Sequence, residues 1–206
     1  EQVLREANLD SLTGLSNRSF FMNQLAAALS DDDAIPSGSL LMLRLADLAG
    51  INRRAGRETA DELLRRIGQA LGEQAKGKLN AVAARLNGAD FALLLPGVHD
   101  PAAQAEKLLH ALNDLAAAGL IDGDRIGHLA SGSYLHGHSV AHLLSRLDAA
   151  LAAAENQSGL AWCRAESHDD QRATSNADWK KLLEGAIQTQ RLRLIDFPVA
   201  GNAGQL

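Results

Sequence analysis

The sequence predicts an α/β (α+β) domain in which helices cover a central sheet and a β-hairpin is inserted between two of the crossovers. Three observations carry this. Short apolar runs that read as strands alternate with longer segments whose apolar residues recur at helical spacing. Two strand-like runs, at about 79–86 and 90–96, are separated only by a polar, turn-prone stretch, RLNGADFALLL, and Asn-Gly is a strong hairpin signal. Finally, 46% of the 206 residues are hydrophobic, enough for a real core, yet only 3% are aromatic, so leucine and alanine must fill it.

Residues 1–8 read as the end of a helix arriving from upstream. DSLTGLSNR (10–18) is a turn-rich connector with Gly14 and Asn17. A helix is expected at about 18–30, where Phe20, Phe21, Leu25 and Leu29 share a side. DDDAIPSGS (31–39) is a loop, broken by Pro36 and Gly38. SLLMLRLA (39–46) is a buried strand interrupted by Arg44. Residues 58–75 form a helix with Leu63, Leu64, Ile67 and Leu71 aligned. The hairpin follows and closes at Pro96-Gly97. Asp100-Pro101 opens a helix over 101–118, in cap and first-turn positions. A strand at 126–135, a helix at 139–155 entered through Ser139, and a short strand LAWCR (160–164) complete the alternation. After Cys163 the composition changes. AESHDDQRATSNAD (165–178) reads as a linker. WKKLLEGAIQTQ (179–190) and RLRLIDFPV (191–199) read as a new helix and strand with no partners within the chain.

The formal net charge is −5 and no long Lys/Arg run occurs, which argues against nucleic acid as a partner. The single cysteine, Cys163, allows no internal disulfide and suits a reducing compartment. No segment approaches the ~20 apolar residues of a membrane span, and no signal peptide opens the chain. The abrupt ends, EQVLREANLD and GNAGQL, suggest a fragment of a longer protein.

Four motifs in order then resemble one family. DSLTGLSNR resembles the D-x-LTGL-x-NR opening of GGDEF domains, the diguanylate cyclase family. INRRAGRETADELL (51–64) resembles that family's IND-x-x-GH-x-x-GD-x-x-L. RLNGADFALLLPG (85–97) stands where the family writes R-x-GGDEF-x-x-LLP, and LDAALAAAENQSG (147–159) resembles its late AD-x-ALY-x-AK-x-x-G helix. The resemblance implies a nucleotidyl-cyclase-like mixed sheet over residues 10–164, preceded by the end of a signalling helix (1–9). It also implies that residues 179–206, beyond the linker 165–178, begin an EAL domain, the c-di-GMP phosphodiesterase family. LapD-type inner-membrane c-di-GMP receptors are similar in arrangement.

Joining two GTP molecules requires divalent ions, held by hard oxygen ligands. The family's two metal carboxylates correspond here to Arg44 and Ala89, so the signature Asn87, Gly88, Ala89, Asp90, Phe91 is degenerate. No catalytic residue, no cofactor and no Mg²⁺ site are expected. Two unit charges ~4 Å apart interact by roughly 4 kcal/mol at an effective dielectric of 20, and a dication facing Arg44 would meet about twice that repulsion. Asp90 and Asp47 are displaced along the chain from the lost positions. In a strand a one-residue shift turns a side chain to the opposite face, although near a turn that rule softens. Alternatively the Arg44 guanidinium could mimic the missing cation and pair with Asp90, Asp47 or a phosphate. Asn87 replaces the first glycine, Glu155 replaces the late-helix lysine, and KLNA (78–81) lacks the Arg and Asp of the family's inhibitory site. Asn52 and Asp61 persist at positions the family uses to recognise guanine. Their amide and carboxylate suit its edge, and both residues also suit a plain turn or helix surface.

The resemblance therefore implies an inactive GGDEF domain that relays between an upstream sensor or membrane module and a downstream EAL domain, on the cytoplasmic side of an inner membrane. C-di-GMP would bind the EAL domain, and a homodimer is one arrangement such proteins allow. An allosteric GTP-binding domain that activates an EAL phosphodiesterase is the alternative, and a residual diguanylate cyclase ranks below it. His136, His138 and His142 (HGHSVAH) lack a carboxylate or Cys at ligand spacing and read as a solvated loop. Ser131-Gly132-Ser133 lacks a nucleophile-elbow context. Trp162 and Trp179 read as packing anchors.

Overall fold

A computed structural model describes residues 7–117, 127–157 and 161–165. The elements run β1 (Ser16–Asn17), α1 (Arg18–Ser30), β2 (Ser37–Leu45), α2 (Leu48–Ala75), β3 (Val82–Arg85), β4 (Asp90–Pro96), α3 (Pro101–Ala117), β5 (Gly127–Leu135), α4 (Val140–Glu155) and β6 (Ala161–Arg164). The six strands form one mixed sheet in the order β1-β3-β4-β2-β5-β6. The two outer pairs, β1 with β3 and β5 with β6, are parallel, and the inner pairs are antiparallel.

Both sheet faces are covered, which is why β2 and β4 read as nearly unbroken apolar runs rather than alternating ones. Odd-numbered residues Leu41, Leu43, Phe91, Leu93 and Leu129 pack on Leu63, Ile67 and Leu71 of α2 and Leu108 and Leu112 of α3. Even-numbered Leu40, Met42, Ala92, Leu94, Ala130 and Tyr134 pack on Phe21 and Leu25 of α1 and Leu143, Leu147 and Leu151 of α4. The period-2 pleat thus divides each strand between two cores.

Helix entries follow local chemistry. Asn17 Oδ1 accepts from the Phe20 amide at 3.0 Å, the Asp100 carboxylate accepts from the Ala103 amide at 3.0 Å, and Ser139 caps α4. Each side chain satisfies an amide that lacks an intrahelical partner.

The structure corrects the sequence reading in several places. β2 starts at Ser37, inside the expected loop, because its first residues pair with both β4 and β5. The long helix starts at Leu48, ten residues before its expected start, capped by Asp47. It is two helices joined at Gly56, whose φ of 83° and ψ of 163° no helix allows. The periodicity before Gly56 was hidden by exposed polar residues. Gly56 has nothing within 4 Å of where a Cβ would stand, so only the backbone opposes a substitution. Gly56→Ala is expected to cost about 1–3 kcal/mol, read from the urea midpoint. The expected strand at 79–86 shortens to Val82–Arg85, and the one at 126–135 is present as Gly127–Leu135, with residue 126 outside the described residues. Ser131-Gly132-Ser133 lies within β5, not on a strand-to-helix turn. Residues 7–8 are helical, while residues 1–6, the linker from 166 onward and the expected elements at 179–199, with Trp179, lie outside the described residues.

Candidate functional site

The signature hairpin joins β3 to β4 through Leu86–Ala89. It is not the two-residue turn that Asn-Gly predicts, because neither Asn87 nor Gly88 has positive φ. The Asn87 side chain folds the loop instead. Its Oδ1 accepts from the amides of Ala89 and Asp90, both at 3.0 Å, and its Nδ2 donates to Asp90 Oδ2 at 2.7 Å. Arg85 closes the loop from beneath, donating to the carbonyls of Asn87 and Gly88 and pairing with Asp10 at 3.3 Å. Asp10, in the turn-rich opening motif, also accepts from the amide and hydroxyl of Thr13. Burial pushes its carboxyl up, but the Thr13 hydrogen bonds and the Arg85 guanidinium outweigh this and hold it below the ordinary value.

Arg44 lies near the end of β2, on the sheet face covered by α1 and α4. The register places it directly opposite Asp90 on one side and His128 on the other. Directly opposed residues share a face, so Asp90 stands on Arg44's side of the sheet, not on the opposite one. Arg44 Nε donates to Asp90 Oδ1 at 2.9 Å and Nη1 to Glu155 Oε1 at 3.1 Å, and Nη2 lies 3.7 Å from Asp148 Oδ1. The hydrogen bond to Asp90 is foremost in raising the Arg44 pKa. Burial opposes it and Glu155 adds to it. Ala89 sends its methyl toward the other core, where Phe91 is fully buried.

Asp47 takes no part in this cluster. It caps α2 with a left-handed backbone (φ 48°) and pairs with Arg54 at 3.0 Å. Asn52 and Asp61 fall on opposite sides of the Gly56 break, Asn52 exposed and Asp61 3.9 Å from Arg57. The sequence reading missed two members of the site. Asp148 was legible in principle, since it stands seven residues before Glu155 on one helical face. His128 was not, because its place depends on strand register. It is buried, and its Nδ1 has no hydrogen-bond partner among the described residues.

The residues present do not fit the divalent ions that the chemistry of two joined GTP molecules needs. At the two positions that the resemblance assigns to metal carboxylates stand the Arg44 guanidinium and the Ala89 methyl. Among the described residues no three His, Cys, Asp or Glu side chains are grouped to hold a metal. Two of the histidines of HGHSVAH are separately engaged, with His136 3.7 Å from Asp32 and His138 Nδ1 accepting from the Leu135 amide. No helix among the described residues is long and apolar enough to cross a membrane.

Comparison with known proteins gives a consistent picture. The family model "Diguanylate cyclase, GGDEF domain" matches residues 7–159. The RNase E specificity factor CsrD of Escherichia coli (strain K12) is 27% identical over 202 residues, covering 96% of this chain and 31% of that protein. The diguanylate cyclase DgcN of the same organism is 33% identical over 114 residues, covering 55% of this chain and 27% of that protein. The S helix-GGDEF-EAL structure of Vibrio cholerae LapD, in its apo form, superposes with a TM-score of 0.68 at 25% identity. That match covers 92% of this chain and 44% of that one. The chain thus spans about a third or less of the curated relatives it matches.

Proposed function

This chain belongs to the GGDEF domain family, and we propose that within it the domain is a non-catalytic regulatory module of a c-di-GMP signalling protein. It relays conformation between an upstream sensor or membrane module and a downstream EAL domain, on the cytoplasmic side of the membrane. One observation carries the reading: Arg44, at the position the resemblance assigns to a metal carboxylate, is held between Asp90 and Glu155. A dication brought there is repelled by Arg44 and finds no ligand at Ala89. A nucleotide phosphate finds the guanidinium already engaged by three carboxylates. The relative that aligns along nearly the whole chain supports this, since it is named an RNase E specificity factor and not a cyclase. The LapD likeness supports an EAL domain as the downstream partner.

Incubation of the chain with GTP and Mg²⁺ or Mn²⁺, followed by chromatography, is expected to yield no c-di-GMP. A product peak overturns the reading. A second reading, an allosteric GTP-binding domain, is favoured by the exposed Asn52 and half-exposed Asp61, which remain accessible on α2. Calorimetric titration with GTP separates the two, because saturable heat without turnover selects the second and no heat at millimolar GTP selects the first.

A further inference from the structure

We propose that Arg44 acts as a built-in counter-ion, gathering carboxylates from β4 and α4 and so tying the end of α4 to the signature hairpin without any ligand. The inference rests on the non-catalytic reading above and states what the altered site does in place of catalysis.

Three carboxylates lie within 4 Å of one guanidinium: Asp90 at 2.9 Å, Glu155 at 3.1 Å and Asp148 at 3.7 Å. One formal positive charge therefore faces three negative ones. Without the guanidinium these carboxylates would repel one another across the gap between hairpin and helix. The fork is used directionally. Nε is committed to the hairpin, while Nη1 and Nη2 reach two residues of one helical face. A planar guanidinium can serve both at once, whereas an ammonium is a single compact charge. The hairpin end is rigid, since Asp90 is only 16% exposed and its other oxygen is held by Asn87. The flank toward β5 carries His128 and no carboxylate, so the attraction points from β2 toward hairpin and helix.

The position gives the tie its consequence. The rest of α4 is held by apolar contacts through Leu143, Leu147, Ala150, Leu151 and Ala154. Glu155 is the last residue of α4 and the chain continues from there to β6. Arg44 and Glu155 are 111 residues apart in sequence, so the pair fastens the exit of α4 to a central strand of the sheet.

The test uses the whole chain and follows amide exchange and melting temperature in Arg44→Ala and Glu155→Gln. Arg44→Ala is expected to speed exchange at 86–90 and 152–157 together, on the order of tenfold, and to lower the melting temperature by roughly 3–8 °C. Added NaCl is expected to restore part of that loss, because screening weakens the repulsion among three carboxylates left without a cation, and to give the parent chain no such gain. If Arg44→Ala does not fold, Glu155→Gln decides, and faster exchange confined to 152–157 supports the tie. Unchanged exchange at 152–157 in either variant, or an equal NaCl effect on parent and Arg44→Ala, overturns the proposal. The c-di-GMP assay of the parent chain is independent, so failure of the tie and failure of the non-catalytic reading can be told apart.

Discussion

Replacing Phe91 with alanine is expected to lower stability by about 3–5 kcal/mol, the largest effect of any single change considered for this domain. Phe91 is the last letter of the signature and has no exposed surface. It packs in the core that joins the sheet to α2 and α3. The Arg85 guanidinium carbon lies 6.0 Å from its ring centroid, at the edge of a cation–π contact. Truncation removes a large apolar surface and leaves a cavity beneath the hairpin that close-packed neighbours cannot fill. Equilibrium urea unfolding reads the loss. A change below about 1 kcal/mol would show that the site collapses or that the ring is not a core element. Of the two signature letters that survive, Gly88 and Phe91, Phe91 is the one with a packing role.

The second large effect is expected at Arg85. Its side chain is 12% exposed and its partner Asp10 23%. Arg85→Ala removes the cation beside Asp10, two hydrogen bonds to loop carbonyls and the contact with Phe91. The combined loss is expected at about 2–3 kcal/mol, below that of a wholly buried pair because water still reaches Asp10. A pH dependence follows from the same pair. The Asp10 carboxyl is held below its ordinary value of 3.8 in the fold. A depressed carboxylate contributes stability that is fully present above the unfolded pKa and is lost as pH falls through the folded one. The parent chain therefore loses this contribution as pH drops below about 4, where the unfolded carboxyl takes up protons first. Asp10→Asn is expected to be less stable at neutral pH and to show a flatter acid limb. Parallel limbs for parent and variant would remove Asp10 from the account.

Much of the fold was legible because burial leaves a mark on residue order. The runs SLLMLRL and DFALLLP lack alternation, and the structure supplies the reason: each is packed on both faces. Asp100 and Ser139 announced their helices through cap chemistry that acts within four residues. The first half of α2 was not legible. Its exposed Asn52, Arg53 and Arg54 carry no apolar stripe, and its start depends on Asp47 adopting a left-handed backbone. The hairpin was found, but by the wrong turn chemistry. Asn87 uses its side chain where the dipeptide rule expects its backbone.

For the site, residue identity alone carried the expectation that the family's metal carboxylates are missing. An alanine side chain cannot ligate and an arginine cannot accept, wherever they fall, so the expectation of missing carboxylates needed no tertiary structure. Only the tertiary structure decided what took their place. Whether Arg44 meets Asp90, Asp47 or nothing depends on strand register. Register between β2 and β4, which no hairpin joins, is set by the hydrophobic pattern of both strands. Whether Glu155 and Asp148 then close over it depends on how α4 seats on the sheet, through leucines and alanines that carry no charge themselves. Local chemistry is written residue by residue. The meeting of three oppositely charged groups with one arginine is produced by packing, which acts across the whole chain.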